Sequence, residues 1–300
     1  MLFSPSNTTG KVDNAFLFIV VCCVILLAAV TICMVVFLIK YNRERHPRPE
    51  RVKESLLLEI VWTVIPTILV IFMFYFGWVD FKYIRNPPKD ALTVNVLARQ
   101  WSWLFTYDNG RQSDLLNVPL GRPVKLLMTS ADVVHCLFIP AFRIKEDCVP
   151  GMTTHLWFSA TEPGSYDIFC TEYCGVGHSH MRSRVVAMSP GDFLNWYNAP
   201  QGRDLAEQGL TLLRTKGCLG CHTLDGSDKV GPTFKNLMGR RQGVIRAGRE
   251  TEIVVDEEFI RRHILDPRSA AVAGFPSVMP QMPMTDEELK TIVGYLMRIK

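Results

Sequence analysis

The chain has no charged residue between Ala15 and Ile39, a run of 25 residues. As a helix that run reaches about 37 Å at roughly 1.5 Å per residue, enough to cross a hydrocarbon layer about 30 Å thick with some tilt. Leu56–Val79 is nearly as bare, broken only by Glu59 and Pro66. Two buried core helices are the alternative, but core helices rarely lack polar residues on every face for so long. Net charge is also low, +4 over 300 residues, which excludes a polycation built for nucleic acid. No internal repeat and no low-complexity tract occurs. No small-residue cleavage site follows the first run, which is too long for a signal-peptide core, so no cleavable leader is expected. Histidine is scarce, seven residues with none in either apolar run, so the runs supply no metal-binding set of imidazoles.

Basic residues are unevenly spread. Lys11 stands alone before the first run, whereas 40-KYNRERHPRPERVK-53 carries six Lys/Arg. The positive-inside rule puts that loop in the cytoplasm. Both termini, and everything after residue 80, then lie outside. The expected divisions are an outer tail 1–14, spans 15–39 and 56–79, and a basic loop 40–55. Of nine cysteines, Cys22, Cys23 and Cys33 fall in the first span, where a small soft hydrophobe packs. The other six lie in an oxidising or cofactor-bearing compartment.

From residue 90 to 190 the texture is short β-rich runs, 92–98, 101–107, 124–130, 154–160, 166–170 and 184–188, separated by turn residues such as Asp108-Asn109-Gly110. This predicts a small β-sandwich or barrel. Residues 189–204 read as a short amphipathic helix running into a Pro/Gly linker, 191–204. From 205 to 300 the period is helical, with candidates at 205–217, 256–265 and 285–299. Thr285 and Glu288 form a capping-box signature, and Asp256 is a helix cap.

Two clusters carry chemistry. In 170-CTEYCGVGHSHM-181, two thiols, two imidazoles and a thioether crowd into twelve residues. Soft thiolate–imidazole–thioether sets select copper. Cys170 and Cys174 can bridge two copper ions, with His178 on one and a distant histidine, His135, on the other; Met181 is a weak axial donor. A Cys2His2 zinc site uses the same four residues, and a Cys170–Cys174 disulfide is a further alternative. Zinc has little use for the thioether. The second cluster, 218-CLGCH-222, has the attachment signature of c-type haem, with thioethers at Cys218 and Cys221 and His222 on the iron. A thioredoxin-like CxxC would need a βαβ context, which is absent. Gly231-Pro232 resembles the pattern of small c-type cytochromes, which implies a proline carbonyl accepting a hydrogen bond from the proximal imidazole.

The first cluster closely resembles the binuclear copper loop of cytochrome c oxidase subunit II. Further matching stretches are 58-LEIVWTVIP-66, 99-RQWSW-103 and 143-RIKEDCVPG-151, spaced as in that family. The resemblance implies a two-helix transmembrane hairpin, a cupredoxin-like Greek-key β-barrel or sandwich, and an all-α c-type cytochrome domain. It implies a binuclear copper centre on His135, Cys170, Cys174, His178 and Met181, with the Glu172 carbonyl as a further donor. The Glu172 carboxylate would reach a magnesium ion at the interface with the catalytic subunit. Trp101 would pass electrons toward the copper, and Glu59 would stand at the cytoplasmic mouth of a proton path; a Glu merely snorkelling to the interface is its alternative. Met279-Pro280 resembles the axial-ligand loop of small c-type cytochromes, so Met279 is the distal ligand and Met282 the alternative. Met238 is expected to pack near the haem, and His263, between Arg262 and Ile264, to be a surface residue.

The fused α-domain resembles the caa-type oxidases. It implies an electron-input subunit that passes electrons from its covalent haem to copper, and on to catalytic subunit I beside subunit III. Oxygen would there be reduced to water with proton pumping. The donor would be a bc-type complex or a mobile cytochrome c. The location implied is a bacterial inner membrane, with the cofactor domains on the periplasmic side. An electron-input subunit of a copper-containing nitric oxide reductase is a second reading; a tethered copper carrier is a third, opposed by the haem motif, Trp101 and Glu59. Cys136 and Cys148 depart from the family pattern. They form a candidate disulfide if their Cα atoms approach within about 7 Å, with two buried free thiols as the alternative. His180 also departs and receives no ligand role.

Overall fold

The computed structural model describes residues 4–48, 54–200 and 204–300. Arg51 and Lys53 of the basic loop and residues 201–203 of the linker lie outside the described residues. Helices α1 (Thr9–Lys40) and α2 (Leu56–Arg85) form an antiparallel pair whose large apolar side chains face outward. Phe16 is 66% exposed, Leu27 66% and Leu57 73%, so no protein core covers them. That is the surface of a membrane hairpin and not of buried core helices. Cys23 and Cys33 are exposed on it, so they do not pack within the protein. Both helices outrun the apolar runs. At the far end Ser55 caps α2 by accepting from the Leu58 N–H at 3.4 Å.

The other ends of the hairpin are tied to a β-domain. Asn7 N–H donates to the Ser159 carbonyl at 3.1 Å and Thr161 N–H to that of Pro5 at 2.9 Å. The Thr8 hydroxyl donates to the Phe142 carbonyl at 2.7 Å, and the Trp157 indole to that of Tyr83 at 3.2 Å. Arg85 pairs with Glu146.

That domain is a sandwich of two five-stranded sheets. In chain order its strands are β1 (Leu92–Arg99), β2 (Ser102–Tyr107), β3 (Gln112–Ser113), β4 (Leu116–Pro119), β5 (Val124–Ser130), β6 (His135–Ile139), β7 (Ile144–Cys148), β8 (Thr154–Phe158), β9 (Gly164–Cys170) and β10 (Arg182–Met188). One sheet runs β3-β2-β1-β5-β8 and the other β4-β10-β9-β6-β7. The pairs β1–β5 and β4–β10 are parallel, so the chain crosses between sheets in the Greek-key manner. Strict alternation puts Val94, Val96 and Ala98 of β1 and Leu126 and Met128 of β5 inward. Phe105, Phe142, Phe158 and Tyr107 fill the centre. Helix α3 (Pro190–Asn198), capped by Ser189, closes this domain.

The last domain holds α4 (Leu205–Thr215), the single turn α5 (Cys218–Cys221), α6 (Glu257–Leu265) and α7 (Asp286–Leu296). Asp204 and Asp256 cap α4 and α6, and the Thr285/Glu288 capping box on α7 is formed from both sides. Helices α4 and α7 cross closely. A Cβ on Gly209 would lie 2.3 Å from the Tyr295 Cβ, so glycine sets that approach. Leu213, Phe259, Ile260, Leu289 and Ile292 make a separate core. A small sheet, order β12-β11-β13, accompanies the helices: β11 (Arg241–Arg246), β12 (Arg249–Val254) and β13 (Ala271–Val272). Ala247 (φ 47°) and Gly248 (φ 78°) form its two-residue hairpin turn.

Candidate metal centre and haem site

The copper-loop residues converge from three places in the second sheet. His135 opens β6, Cys170 ends β9, and Cys174, His178 and Met181 lie in the loop entering β10. Cys170 Sγ is 3.8 Å from Cys174 Sγ and 3.9 Å from His135 Nδ1. Cys174 Sγ is 3.5 Å from His178 Nδ1 and 3.9 Å from Met181 Sδ, while Cys170 Sγ is 3.2 Å from the Glu172 carbonyl oxygen. His135, Cys170, Cys174 and Met181 are buried; Glu172 and His180 are exposed. Two thiols, two imidazoles, a thioether and a carbonyl thus face one small volume. The sulfur atoms stand side by side between the two imidazoles, a set that fits two soft ions sharing both thiolates.

Electrostatics prepare this set. Burial raises both thiols. For Cys170, hydrogen bonds from the His135 ring and from backbone groups at Cys136 and Glu172 outweigh burial, and its pKa falls. The adjoining Cys170 charge pushes Cys174 further up. Burial opposes protonation of His135, but its contacts with Cys170 and Asp132 outweigh it and raise its pKa. Asp132 was not evident from the sequence. Its Oδ1 lies 2.8 Å from His135 Nε2 and its Oδ2 accepts the Gln100 N–H at 2.7 Å, leaving His135 Nδ1 toward the sulfurs.

Trp101 is 4% exposed, and its indole N–H donates to the Cys174 carbonyl at 3.0 Å. Gln100 Nε2 donates to the same oxygen at 2.7 Å. The copper loop lies flat on the indole, since a Cβ on Gly177 would come within 2.3 Å of the ring. The far side of Trp101 meets the last domain, where a Cβ on Gly220, inside the CLGCH turn, would come within 2.6 Å of the Trp101 carbonyl. A Cβ on Gly217 (φ +80°) would come within 2.3 Å of the Ser102 hydroxyl. Arg99 donates to the Thr215 carbonyl, and Cys221 and Val230 pack against the β-domain core.

His222 donates from Nδ1 to the Pro232 carbonyl at 2.7 Å, leaving Nε2 free to bind a metal. Burial holds this imidazole neutral, its pKa pulled down to about 4. Gly231 lets the chain pass over the ring, since a Cβ there would come within 2.6 Å of it. A largely apolar cavity opens beside Cys218, Cys221 and His222, and Met279, Met282 and Met284 all line it. His263 lines it as well and is not a surface residue; its Nδ1 is buried without a hydrogen-bond partner. The cavity is mainly apolar beside the two thiols and the imidazole, so it suits a large, mainly apolar group such as haem. Met238, 41% exposed, is not among the lining residues.

Comparison with known proteins agrees along the chain. Residues 4–77 match the family profile "Cytochrome C oxidase subunit II, transmembrane domain" and residues 111–188 match "Cytochrome C oxidase subunit II, periplasmic domain". Residues 206–300 match "Cytochrome c". Cytochrome c oxidase subunit 2 of Alkalihalophilus pseudofirmus is 29% identical over 96% of this chain and 86% of that protein. The chain belongs to the cytochrome c oxidase subunit II family. Subunit 2 of Thermostichus vulcanus is 29% identical over 64% of this chain and 75% of that protein. Among solved structures, the periplasmic domain of subunit II from Bradyrhizobium japonicum is similar, with 29% identity, TM-score 0.36, and coverage of 37% of this chain and 94% of that one.

This subunit II homologue therefore carries a C-terminal cytochrome c domain, and the two family matches imply copper and haem. Within it the candidate disulfide is absent. Cys136 and Cys148 are both free. Register explains this. Cys148 pairs with His135, and Cys136 pairs with Asp147, so the two thiols leave β6–β7 on opposite faces.

Proposed function

We propose that this chain is the electron-input subunit of a terminal oxidase, handing electrons from a haem at residues 218–222 to a copper pair at residues 135 and 170–181. The catalytic subunit then reduces oxygen to water, coupled to proton pumping. The observation that carries the reading is the position of Trp101. Its carbonyl meets the CLGCH turn and its indole bonds the Cys174 carbonyl, so one residue joins the two clusters. When bound, the haem and the copper pair supply one-electron redox steps with little change in ligand geometry.

The protein's own groups do the rest. Cys218, Cys221, His222 and Met279 would hold the haem, with the Pro232 carbonyl fixing the tautomer of His222. Cys170, Cys174, His135, His178, Met181 and the Glu172 carbonyl hold the copper, with Asp132 orienting His135. The copper loop and the cytochrome turn bury Trp101 and exclude water from the path, which lowers the local dielectric and the reorganisation needed per transfer. Fusing the two domains replaces a bimolecular encounter with an intramolecular one of roughly millimolar effective concentration.

The Glu172 carboxylate, exposed beside the copper loop, serves a magnesium ion shared with subunit I. Glu59, in the first turn of α2 at the end of the hairpin away from the β-domain, takes the mouth of a proton path. The basic loop supports a cytoplasmic placement for that end and a periplasmic one for the cofactor domains. Subunit III completes the complex, and a bc-type complex or mobile cytochrome c is the donor. Purification of the membrane complex with metal analysis, optical and EPR spectra tests the reading. Two coppers and one covalent haem per chain, with a mixed-valence copper signal, are expected. Stoichiometric zinc without copper would overturn it.

A further inference from the structure

The β1–β2 hairpin turns at Gln100-Trp101, between the paired residues Arg99 and Ser102. Its two tip residues serve the copper loop, where both side chains donate to the Cys174 carbonyl. The flanking pair meets the cytochrome domain instead. A Cβ on Gly217 would come within 2.3 Å of the Ser102 hydroxyl and 3.0 Å of Arg99 Nε, so this glycine lies directly on the pair. Among the described residues, Arg99 is the one charged side chain of the β-domain that lines the haem-site cavity.

The partners of the guanidinium are specific. Nε donates to the Ser102 hydroxyl at 3.1 Å, which fixes the plane of the group, and Nη2 donates to the Thr215 carbonyl. Thr215 is the last residue of α4. The final carbonyls of a helix have no partner within it, and they carry the negative end of its dipole. The Leu212 and Arg214 carbonyls are taken by the N–H groups of Lys216 and Gly217. The Thr215 carbonyl is taken by a cation from the other domain. Cys218, the first thioether position, follows three residues later. Burial pulls the Arg99 pKa down, so the group gives up water in this contact, and its hydrogen bonds there offset the loss.

We propose that Arg99 is a positioning residue for haem-to-copper electron transfer: its guanidinium caps α4 from the copper domain and so holds the haem-attachment turn against Trp101. The inference rests on the reading of residues 218–222 as a haem site that feeds the copper pair. In that step one electron leaves the ferrous haem and reduces the copper pair, with no bond made or broken. Transfer falls off steeply with separation, so small departures from the docked geometry are felt in the rate. Neither hydrogen bond of Arg99 goes to a copper-binding or haem-binding residue, so cofactor content should not depend on it.

The test compares the native chain with Arg99→Met and Arg99→Lys in the purified complex. Copper and covalent haem are counted first and both midpoint potentials measured. Transfer from flash-reduced haem to copper is then timed at increasing sucrose concentration. The native rate should not depend on viscosity, because the domains are already docked. Arg99→Met should slow transfer roughly tenfold or more, beyond what any change in potential accounts for. Its rate should also fall as viscosity rises, because the domains must then meet before each transfer. Arg99→Lys, which keeps the charge and a donor, should recover most of the rate. If Arg99→Met loses a cofactor, Arg99→Gln takes its place with the same expectation. Three results would overturn the role of Arg99 while leaving haem-to-copper transfer standing: a native rate without the guanidinium, a slowing that potential explains and viscosity does not touch, or a lysine variant as slow as the methionine one. Loss of a cofactor from all three variants would overturn it too, because the residue would then be needed to build the sites. A native complex without copper or covalent haem, or one whose reduced haem passes no electron to the copper, overturns the functional reading and this proposal together.

Discussion

Asp132 Oδ1 and His135 Nε2 lie 2.8 Å apart, and the same carboxylate accepts the Gln100 N–H at 2.7 Å. One side chain therefore sets the ring of a candidate copper ligand and the backbone just before the tryptophan that contacts the copper loop. Outer partners of metal-bound histidines typically contribute 10–100-fold in affinity. Asp132→Ala should weaken copper retention by about that factor against a competing chelator, and should slow electron transfer into the copper beyond what metal loss explains. Copper content and transient absorbance measured on the same preparation check both parts. Retention equal to the native chain would show that the carboxylate is dispensable.

The glycine in the CLGCH turn fits only because it has no side chain. Gly220→Val puts methyl groups where the Trp101 carbonyl already sits, within 2.6 Å of the first added carbon. The cytochrome domain should move off Trp101. Haem-to-copper transfer after a flash should slow at least tenfold, with haem attachment and copper content unchanged. An unchanged rate would mean that electrons do not pass this contact.

Met279 and Met282 line one cavity, so geometry alone does not separate them. Met279→His should change the haem spectrum and lower its potential, whereas Met282→Leu should change both much less. The opposite ranking would transfer the ligand role to Met282.

Burial pushes Cys136 up to about 11 and Cys148 up to about 12. Only the thiolate is nucleophilic, and it forms appreciably only near or above these values. Neither thiol should be alkylated in the native complex between pH 7 and 9, and both should react fully once the chain is unfolded. Peptide mapping of labelled protein reads this directly. A missing label at both sites after unfolding without reductant would instead reveal a disulfide.

Glu288 has its carboxyl held below the usual range, first by Lys216 at 2.8 Å and then by the Thr285 N–H. A depressed carboxylate stabilises the fold above its unfolded pKa, and that contribution fades as pH falls through the folded value. Thermal stability of the cytochrome domain should therefore decline below about pH 4.5, and Glu288→Gln should flatten the decline. The pair is only partly buried, so the change should be small. Thr285→Ala should cost about 1 kcal/mol at neutral pH through the lost cap.

Much of this was legible in the residues because the signals were local. The apolar runs marked both helices of the hairpin, and short β-rich runs marked β1, β2, β5, β8, β9 and β10. Caps at Asp256 and Thr285 marked α6 and α7. Short edge strands such as β3 and β4 carry too few residues for a period to register. The β11–β12 hairpin, whose turn is Ala247-Gly248, was masked by the helical texture around it. At the copper site the thiols, imidazoles and thioether were readable as a cluster. Asp132 was not, because an acidic residue three places before a histidine is common, and only the fold of β6 brings its oxygen to the ring. His263 misled for the opposite reason. Its arginine neighbours suggested a solvated face, but α6 buries Phe259, Ile260 and the edge of His263 on one side while Arg261 and Arg262 take the other.

The ties between the hairpin and the β-domain have a mechanical consequence. Residues 5–9 precede α1 or form its first turn, and Tyr83 and Arg85 end α2; both ends are stitched to residues 142–161 of the sandwich. Two attachment points remove the swivel that one tether would allow. The height of the copper loop above the bilayer, and the direction it faces, are then properties of this chain alone. An embedded acceptor meets the donor at a preset stand-off, and assembly with the catalytic subunit need only slide two rigid bodies together in the plane of the membrane.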